Sequence, residues 1–326
     1  MKRIIPLKRA GRECMEDTII SVLSSMRKDY QWIYHTTWSF DFLKMDNTDK
    51  QLIGEQLKVD WGSIEENSRK YLGIEIQYVY VDEAAEAYDV IVNQIIQGKP
   101  VVVVDYIRYH HWIMVLENQA DTHAIIIHNI TADGDLLCSD CLTLENDIVL
   151  GKDTFLLAYH GPLVLFYEVD MNEADIDYEA DLTSVVNQLC TGIDYDNSFE
   201  AMRRFADAVM NMDIMKECPE AQEQAVWVSP ICHKFEILSI GRVQFAQYLK
   251  LYAQRLDKES ILEAAGIIEK AGEKWGLLRA LLMKLRYMEG SHKIQDRISA
   301  IIYELASEEY KALTIIKNRS LYNTND

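Results

Sequence analysis

Residues 13–26 read ECMEDTIISVLSSM, and this stretch sets the expectation for the first half of the chain. It predicts a helix over residues 15–29 with one buried face, because its apolar residues recur at helical spacing: Met15, Ile19, Val22, Leu23 and Met26. Cys14 then lies at the helix N-terminus, where unpaired backbone amides and the helix dipole favour a thiolate over a thiol. The alternative is a cysteine that is simply buried, since free cysteine is among the most buried residue types.

Apolar segments about a hundred residues later supply candidate partners for Cys14. Strands are predicted over residues 101–104, 111–116 and 124–130, with a polar turn at 118–122. A hairpin symmetric about Ala120 places His111 opposite Asn129 on one face, with Cβ atoms about 5 Å apart. Asn129 would then orient the His111 imidazole as a general base for Cys14.

His110 and His128 are the internal rivals for these two roles. His110 lies at the edge of the loop, and His128 faces the other side of its strand, so we interpret both as surface or structural histidines. A register shift of one residue would bring His128 or Ile130 opposite His111 instead and would spoil the pairing. The sequence therefore predicts Cys14, His111 and Asn129 as the catalytic residues.

The order of these motifs resembles the butirosin biosynthesis protein H-like family. The matching residues are ECMEDT at 13–18, KPVVVVDY at 99–106 with Tyr109, HWIMV at 111–115, Gly241, Arg242, Phe245, Leu249 and Ala253, and Ala264, Ala265, Ala271, Gly272 and Trp275. They span most of the chain in order. The resemblance implies a papain-like amino-terminal acyltransferase domain followed by a family-specific helical domain.

Members of this family are similar to enzymes that move an acyl group from the phosphopantetheine thioester of a carrier protein to an amine, in natural-product or antibiotic biosynthesis. The resemblance implies that Cys14 is the nucleophile, His111 the general base and Asn129 the orienting residue; many members carry aspartate at this last position. It also implies a substrate site near Asp105, which matches an aspartate of the family's strand motif, with Tyr106 and Tyr109.

The resemblance implies partners rather than a bound cofactor. We expect phosphopantetheine to be presented by an acyl carrier protein or a peptidyl carrier domain, and a small-molecule amine to act as the acceptor. Backbone amides at the start of the helix, beginning with that of Cys14, would stabilise the oxyanion.

Charge is distributed unevenly along the chain, whose formal net charge is −19. Basic residues dominate the stretch before Glu13, and we expect Lys8, Arg9 and Arg12 to dock an acidic carrier protein or its phosphate. The plainer interpretation is a solvated chain end. The acidic remainder, which has no basic face with interleaved aromatic residues, argues against nucleic acid and is compatible with a cationic acceptor.

Length and composition predict two domains. A chain of 326 residues with 49% hydrophobic content can bury a sizeable core. We expect a papain-like domain at 1–170, an acidic linker at 171–182 and an all-α domain at 183–326, because no basic residue stands between Lys152 and Arg203. The predicted fold class is thus α+β, a papain-like cysteine domain followed by an all-α helical domain. The helical domain would either close over the cleft or mediate homodimer formation.

Several local patterns refine this division. Strands are predicted over residues 155–159 and 163–169, and separate helices over 258–271 and 273–289. The aromatic run from Trp32 to Phe42 predicts a half-buried strand or strand-like loop that serves core packing, with an acyl pocket as the alternative.

The sequence also predicts what the protein lacks. No apolar run reaches the ~18 residues needed to cross a bilayer, and no signal peptide is expected. Six cysteines without framework spacing fit a reducing, cytoplasmic location. Cys138 and Cys141 have the spacing of half a zinc site, but we interpret them as unrelated thiols of a loop and predict no metal, since structural zinc requires four ligands.

Three functions are compatible with these patterns. The first is a cysteine-dependent acyltransferase that works through an acyl-enzyme. The second is a thioesterase or peptidase-type hydrolase on the same scaffold, which differs from the transferase in water exclusion and in the acceptor pocket. The third is a noncatalytic binding or scaffold protein in which Cys14 is inert.

Overall fold

The chain forms two units, each built from two separate parts of the sequence. The structure is a computed structural model, and it describes residues 4–11, 13–27, 29–43, 52–59, 64–113, 122–191, 197–218, 229–288 and 291–320. Unit 1 combines residues 1–30 with 64–173, and unit 2 combines residues 31–63 with 174–326.

The described residues contain helices and strands in the following order. The helices are α1 Cys14–Met26, α2 Ile53–Gln56, α3 Ile64–Asn67, α4 Ala84–Ile96, α5 Lys152–Ala158, α6 Tyr178–Thr191, α7 Ser198–Met210, α8 Ile214–Glu217, α9 Pro230–Arg255, α10 Ile261–Tyr287 and α11 His292–Ser320. The strands are β1 Asp41–Phe42, β2 Leu57–Lys58, β3 Ile74–Val79, β4 Val101–Tyr106, β5 Thr122–Ile130, β6 Leu136–Asp140, β7 Glu145–Leu150 and β8 Tyr159–Glu168.

Unit 1 is built on a six-stranded antiparallel sheet with the strand order β3-β8-β4-β5-β6-β7. β4 lies inside the sheet and begins with three completely buried valines, which explains its continuous apolar sequence. Val101 and Val103 share a face with Ile125 and Ile127 of β5, and α4 covers this face. Helix α1 packs against β4 and β5.

A tight turn joins β5 to β6. Gly134 adopts φ +91° within this turn, and the Thr131 backbone N–H donates to the Asp135 carbonyl at 2.8 Å. The strands then pair from Ile130 opposite Leu136 to Ile126 opposite Ser139, with a bulge between Ile127 and Asn129. The hairpin therefore returns the end of β6 towards the start of β5.

Unit 2 is a bundle of long helices in which α10 packs against both α9 and α11, and α7 packs against α11. Its core contains a buried carboxylate, that of Glu309. The carboxylate accepts hydrogen bonds from the indole nitrogens of Trp38 at 2.7 Å and Trp275 at 3.2 Å. Arg242 adds two more, from Nε at 3.2 Å and Nη2 at 3.1 Å. A residue from the first fifth of the chain is thus fixed inside the helical bundle.

The coarse prediction of an α+β chain with a C-terminal helical region is confirmed. The unit boundary after Glu173 falls inside the predicted linker, and α6 begins at Tyr178, so the end of that linker is helical. Acidic residues in the first turn suit the helix dipole. Residues 31–43 and 52–59 belong to unit 2 and not to the unit that holds the rest of the first predicted domain, and Trp38 and Phe40 pack against Phe245 and Trp275 of its helices.

Two local predictions were wrong. Most of the strand predicted over residues 155–159 is the end of α5. The helices predicted over 258–271 and 273–289 are one helix, α10, because Gly272 does not end it. A Cβ at Gly272 would lie 2.8 Å from the Ser239 carbonyl oxygen, so this glycine allows α9 and α10 to approach closely.

Among the helices that the structure describes, none combines the length and the apolar character needed to cross a membrane.

Candidate functional site

The candidate site is built around Cys14, the first residue of α1. The helix forms because its apolar residues bury one face, with Ile19, Val22 and Leu23 at most 1% exposed. Glu13 precedes it in an extended conformation and makes no side-chain cap. The first-turn N–H groups therefore have neither an intrahelical acceptor nor that cap. Half-buried Cys14 lies where backbone donors and the dipole act on its sulfur.

Asp17 holds the segment that leads to Cys14. Its carboxylate accepts the backbone N–H of Gly11 at 2.6 Å and that of Arg9 at 3.1 Å. Burial raises the pKa of Asp17, although hydrogen bonds from the backbone of Gly11, Arg9 and Ala10 oppose this rise. A side chain from the first turn of α1 therefore holds the segment that precedes Cys14.

His123 and Asp140 complete the site. His123 is the second residue of β5, and its side chain lies close enough to Cys14 to lower the pKa of the thiol. Its Nε2 lies 3.1 Å from Oδ1 of Asp140, the last residue of β6. The β5–β6 hairpin brings this histidine and this carboxylate together.

Asp140 is held by several donors. Trp112 Nε1 donates to Oδ2 at 2.8 Å, and the Leu142 backbone N–H donates to Oδ1 at 2.6 Å. Burial would raise the pKa of Asp140, but the hydrogen bond and charge of His123, with the donors from Trp112 and Leu142, lower it. Asp140 is therefore an oriented anion at neutral pH.

The same electrostatics favour a thiolate–imidazolium pair. Burial opposes ionisation of Cys14, but the hydrogen bond and charge of His123 and backbone N–H groups of Ala124 and Met15 lower its pKa overall. Burial would lower the pKa of His123, but hydrogen bonds and charges from Asp140 and Cys14 raise it to about 10. The arrangement could therefore supply a nucleophile in Cys14, a proton carrier in His123 and an orienting anion in Asp140.

The structure does not pair two of the three predicted catalytic residues, His111 and Asn129, with each other. His111 is exposed in a turn, and its ring meets the Trp112 ring edge-on at 5.0 Å. Asn129 is also exposed; it pairs with Leu137 and accepts the Ile130 backbone N–H at its own side chain.

The assumed hairpin register was the cause of this error. β5 pairs with β4, as Asp105 opposite His123 shows, and with β6 on its other side. Residues 111–113 are not a strand. Residues 114–116, which complete the predicted strand, and most of the predicted turn lie outside the described residues.

The predicted substrate-binding residues differ in their exposure to solvent. Asp105 is completely buried, with Oδ1 2.8 Å from His110 Nε2, so it presents no surface to a ligand. Tyr106 is half-buried against the ring of His160. Tyr109 is half-buried beneath the guanidinium of Arg108. His110, which the sequence indicated as a surface or structural residue at the loop edge, is completely buried.

The structure describes two of the three residues predicted to dock a carrier protein. Lys8 and Arg9 are exposed, and Lys8 Nζ donates to the carbonyl oxygen of Leu142 at 2.9 Å. Lys8 therefore lies beside the loop that follows Asp140. Arg12 lies outside the described residues.

Two further predictions concern thiols and aromatic residues. Cys138 is buried in β6 rather than in a loop, whereas Cys141 lies 3.3 Å from Ser21 Oγ. Within the described ranges, no group of three or more His, Cys, Asp or Glu residues could hold a metal ion. Trp38 and Phe40 are buried in unit 2, which confirms core packing.

A cavity of about 550 Å³ lies at the opposite end of α1 from Cys14. Its lining includes Ser25, Met26, Lys99 and Tyr167. Twelve residues at a rise of 1.5 Å place this end of the helix roughly 18 Å from Cys14. The cavity is therefore separate from the cluster of Cys14, His123 and Asp140.

Comparison of the chain with protein-family models gives no match, and no curated protein matches it.

Proposed function

We propose that this chain is a cysteine-dependent acyltransferase whose unit 1 is papain-like, and that it transfers an acyl group from a carrier-protein thioester to an amine. The observation that carries the proposal is the contact of Cys14 with His123 at a helix N-terminus, with Asp140 on the other side of the imidazole. The three residues keep the chain order of nucleophile, base and orienting residue. Aspartate is also what many members of the butirosin H-like family carry at the orienting position.

Acylation follows from the thiolate–imidazolium pair. The Cys14 thiolate attacks the carbonyl carbon of the thioester, and a C–S bond forms as the carbonyl π electrons move to oxygen. The Cys14 backbone N–H at the start of α1 supports this oxyanion. When the intermediate collapses, the C–S bond to phosphopantetheine breaks, and the leaving sulfur takes the proton of His123.

Deacylation uses the same histidine as a base. Acylation removes the negative charge of Cys14 from the surroundings of His123, so the pKa of His123 falls and a neutral imidazole results. The imidazole accepts the proton of the attacking amine, and the second collapse forms an amide and restores the pair. Asp140 keeps the imidazole oriented through both steps.

Exposed basic residues suit the acidic donor. Lys8 and Arg9 precede the nucleophile, and Lys8 is held next to the loop after Asp140. An acidic carrier protein, or the phosphate of its pantetheine arm, would be attracted to this charge in a chain that is otherwise acidic.

The experiment that tests the proposal is intact-mass analysis after incubation with acyl thioesters of N-acetylcysteamine. We expect a mass increase equal to the acyl group on Cys14, lost in Cys14→Ala, and amide formation when an amine is added. Free acid in place of amide identifies a hydrolase. If no acyl-enzyme forms and Cys14 has the reactivity of a free thiol, the protein is a noncatalytic scaffold.

Carrier docking is tested separately by the double variant Lys8→Gln/Arg9→Gln. We expect slower acylation from a carrier-bound thioester and unchanged acylation from the N-acetylcysteamine thioester. The matched control is Arg69→Gln/Lys70→Gln, which removes the same charge from an exposed part of unit 1. An equal loss with both donors would exclude docking by Lys8 and Arg9.

A further inference from the structure

A second pair of a carboxylate and an imidazole, formed by Asp105 and His110, lies next to His123. His110 Nε2 is 2.8 Å from Asp105 Oδ1, and both side chains are 0% exposed. Asp105 lies directly opposite His123 in the β4–β5 ladder, so the two side chains share a face of the sheet. Burial of two ionisable groups is unfavourable unless they support each other.

The Trp112 indole connects this pair to the catalytic residues. The His110 ring stacks on that of Trp112, with centroids 4.5 Å apart and planes 11° apart. Trp112 Nε1 donates to Asp140 Oδ2 at 2.8 Å. The Asp140 carboxylate then contacts His123 Nε2 through its other oxygen. The rings of His110 and His123 also meet edge-on at 5.9 Å.

We propose that His110 is a positioning residue for Cys14 chemistry, acting through Trp112. This inference rests on the proposed function and deepens it. His110 supplies a flat surface that fixes the angle of the half-buried indole, and the angle directs the indole N–H at Asp140. Asp105 Oδ1 lies 2.8 Å from Nε2 of the same His110 ring. Without the stacked His110 ring, Asp140 would orient the imidazolium of His123 less well, and the Cys14 thiolate would be held less firmly.

Among the described residues, Asp105 and His123 face His110 directly, and Asp140 and Cys138 lie close to Asp105. Burial raises the pKa of Asp105, while His110 and His123 oppose this rise. Burial also raises the pKa of the Cys138 thiol, which lies near both carboxylates. Asp105 and Cys138 therefore resist charge in this region, whereas Asp140 and His123 form a charged pair.

The test measures the rate of Cys14 alkylation by iodoacetamide against pH in the full chain, with peptide mapping to separate Cys14 from the other thiols. In His110→Ala we expect a higher apparent pKa of Cys14 and a rate at pH 6 at least about tenfold lower, since one pKa unit changes the thiolate fraction about tenfold. His110→Phe keeps a flat ring and should restore the wild-type profile, even with lower thermal stability.

A second variant keeps the test decisive if His110→Ala does not fold. Trp112→Phe removes the indole N–H at a half-buried position and should raise the apparent pKa of Cys14 as His110→Ala does. The control is His160→Phe, which alters another histidine of unit 1 that packs against an aromatic ring and should leave the profile unchanged.

The possible failures are distinguishable. If wild-type Cys14 titrates like a free thiol, the proposed function and the positioning role of His110 are both excluded. If wild-type Cys14 is activated but its profile is unchanged in Trp112→Phe and in every folded His110 variant, only the positioning role of His110 is excluded. Failure of His110→Phe to restore the profile would exclude the stacking mechanism.

Discussion

Gly11 donates its backbone N–H to the Asp17 carboxylate at 2.6 Å, and this contact presses the segment before Cys14 against the first turn of α1. A Cβ at residue 11 would lie 2.3 Å from Glu16 Cβ and 2.8 Å from the Asp17 backbone nitrogen. Backbone atoms form part of the obstacle, so the chain would have to move. Only glycine allows this approach.

Gly11→Ala should therefore disturb both stability and the nucleophile. We expect a loss of about 1–3 kcal/mol in the free energy of unfolding, as for other overpacked positions. We also expect slower Cys14 alkylation at pH 6. Thermal melting and mass-mapped alkylation measure the two effects. The control is Gly266→Ala inside α10, where a Cβ meets nothing within 4 Å. This control should be stabilising by about 0.5–1 kcal/mol, and equal behaviour of the two variants would contradict the prediction.

Replacement of single histidines distinguishes the observed site from the one predicted by sequence. In His123→Ala, Cys14 loses its hydrogen-bonding and charged partner, so its apparent pKa should rise towards the value of about 8.5 for free cysteine. In His111→Ala, the removed ring is exposed, and the alkylation profile should stay that of the wild type. The pH profile of iodoacetamide alkylation measures both. A loss of reactivity in His111→Ala with none in His123→Ala would reverse our assignment.

The pairing of Asp140 with His123 should make stability depend on pH in a specific window. The pKa of Asp140 is lowered in the folded chain, so its contribution is present above the unfolded value of about 3.9 and disappears as pH falls through the lower folded value. The pKa of His123 is raised to about 10, so its contribution is full below the unfolded value. It disappears as pH rises through about 10.

Asp140→Asn removes the charge while preserving shape. The difference in urea midpoint between wild type and Asp140→Asn should be largest between about pH 4 and 6.5, the interval bounded by the unperturbed pKa values of Asp and His. It should shrink towards pH 10 and towards strongly acidic pH. A difference that does not change with pH would show that the pair is uncharged.

Two adjacent glutamates of α11 provide a matched test of unit 2. Glu309 is buried and accepts hydrogen bonds from Arg242, Trp38 and Trp275, so Glu309→Gln leaves the guanidinium without its counter-charge. We expect a loss of about 3–5 kcal/mol, typical of a broken buried pair. Glu308 forms a partly exposed pair with Lys274, so Glu308→Gln should cost at most about 1 kcal/mol. Denaturant unfolding measures both, and similar losses would contradict the assignment.

The parts of the site that depend on local sequence were predictable, and those that depend on strand pairing were not. Helical spacing placed Cys14 at the start of α1, and the third predicted strand differs from β5 by only two residues at its start. The choice of His111 failed because it required a hairpin about Ala120. The true neighbours of β5 are β4 and β6, and β6 was interpreted as a loop.

One local signal could have placed His123 beside Asp140. Asp133 and Gly134 form an Asp-Gly pair between two apolar segments, which is a strong indication of a hairpin turn. A hairpin around this pair brings the end of 136–140 towards the start of 122–130, and so Asp140 towards His123. The Trp112 contact with Asp140 has no such signal, because it joins a turn to a strand end 28 residues later.

The hydrogen bond between Trp38 and Glu309 spans 271 residues, and this separation has a consequence for biosynthesis. At roughly 5–20 residues per second, Trp38 leaves the ribosome on the order of 15–50 s before Glu309 is made. During that interval the apolar residues around Trp38 have no helices α9 to α11 to pack against, while most of unit 1 is still being translated. The nascent chain therefore carries an unsheltered aromatic segment until its last helix emerges, so chaperone binding at residues 31–42 would protect it from aggregation.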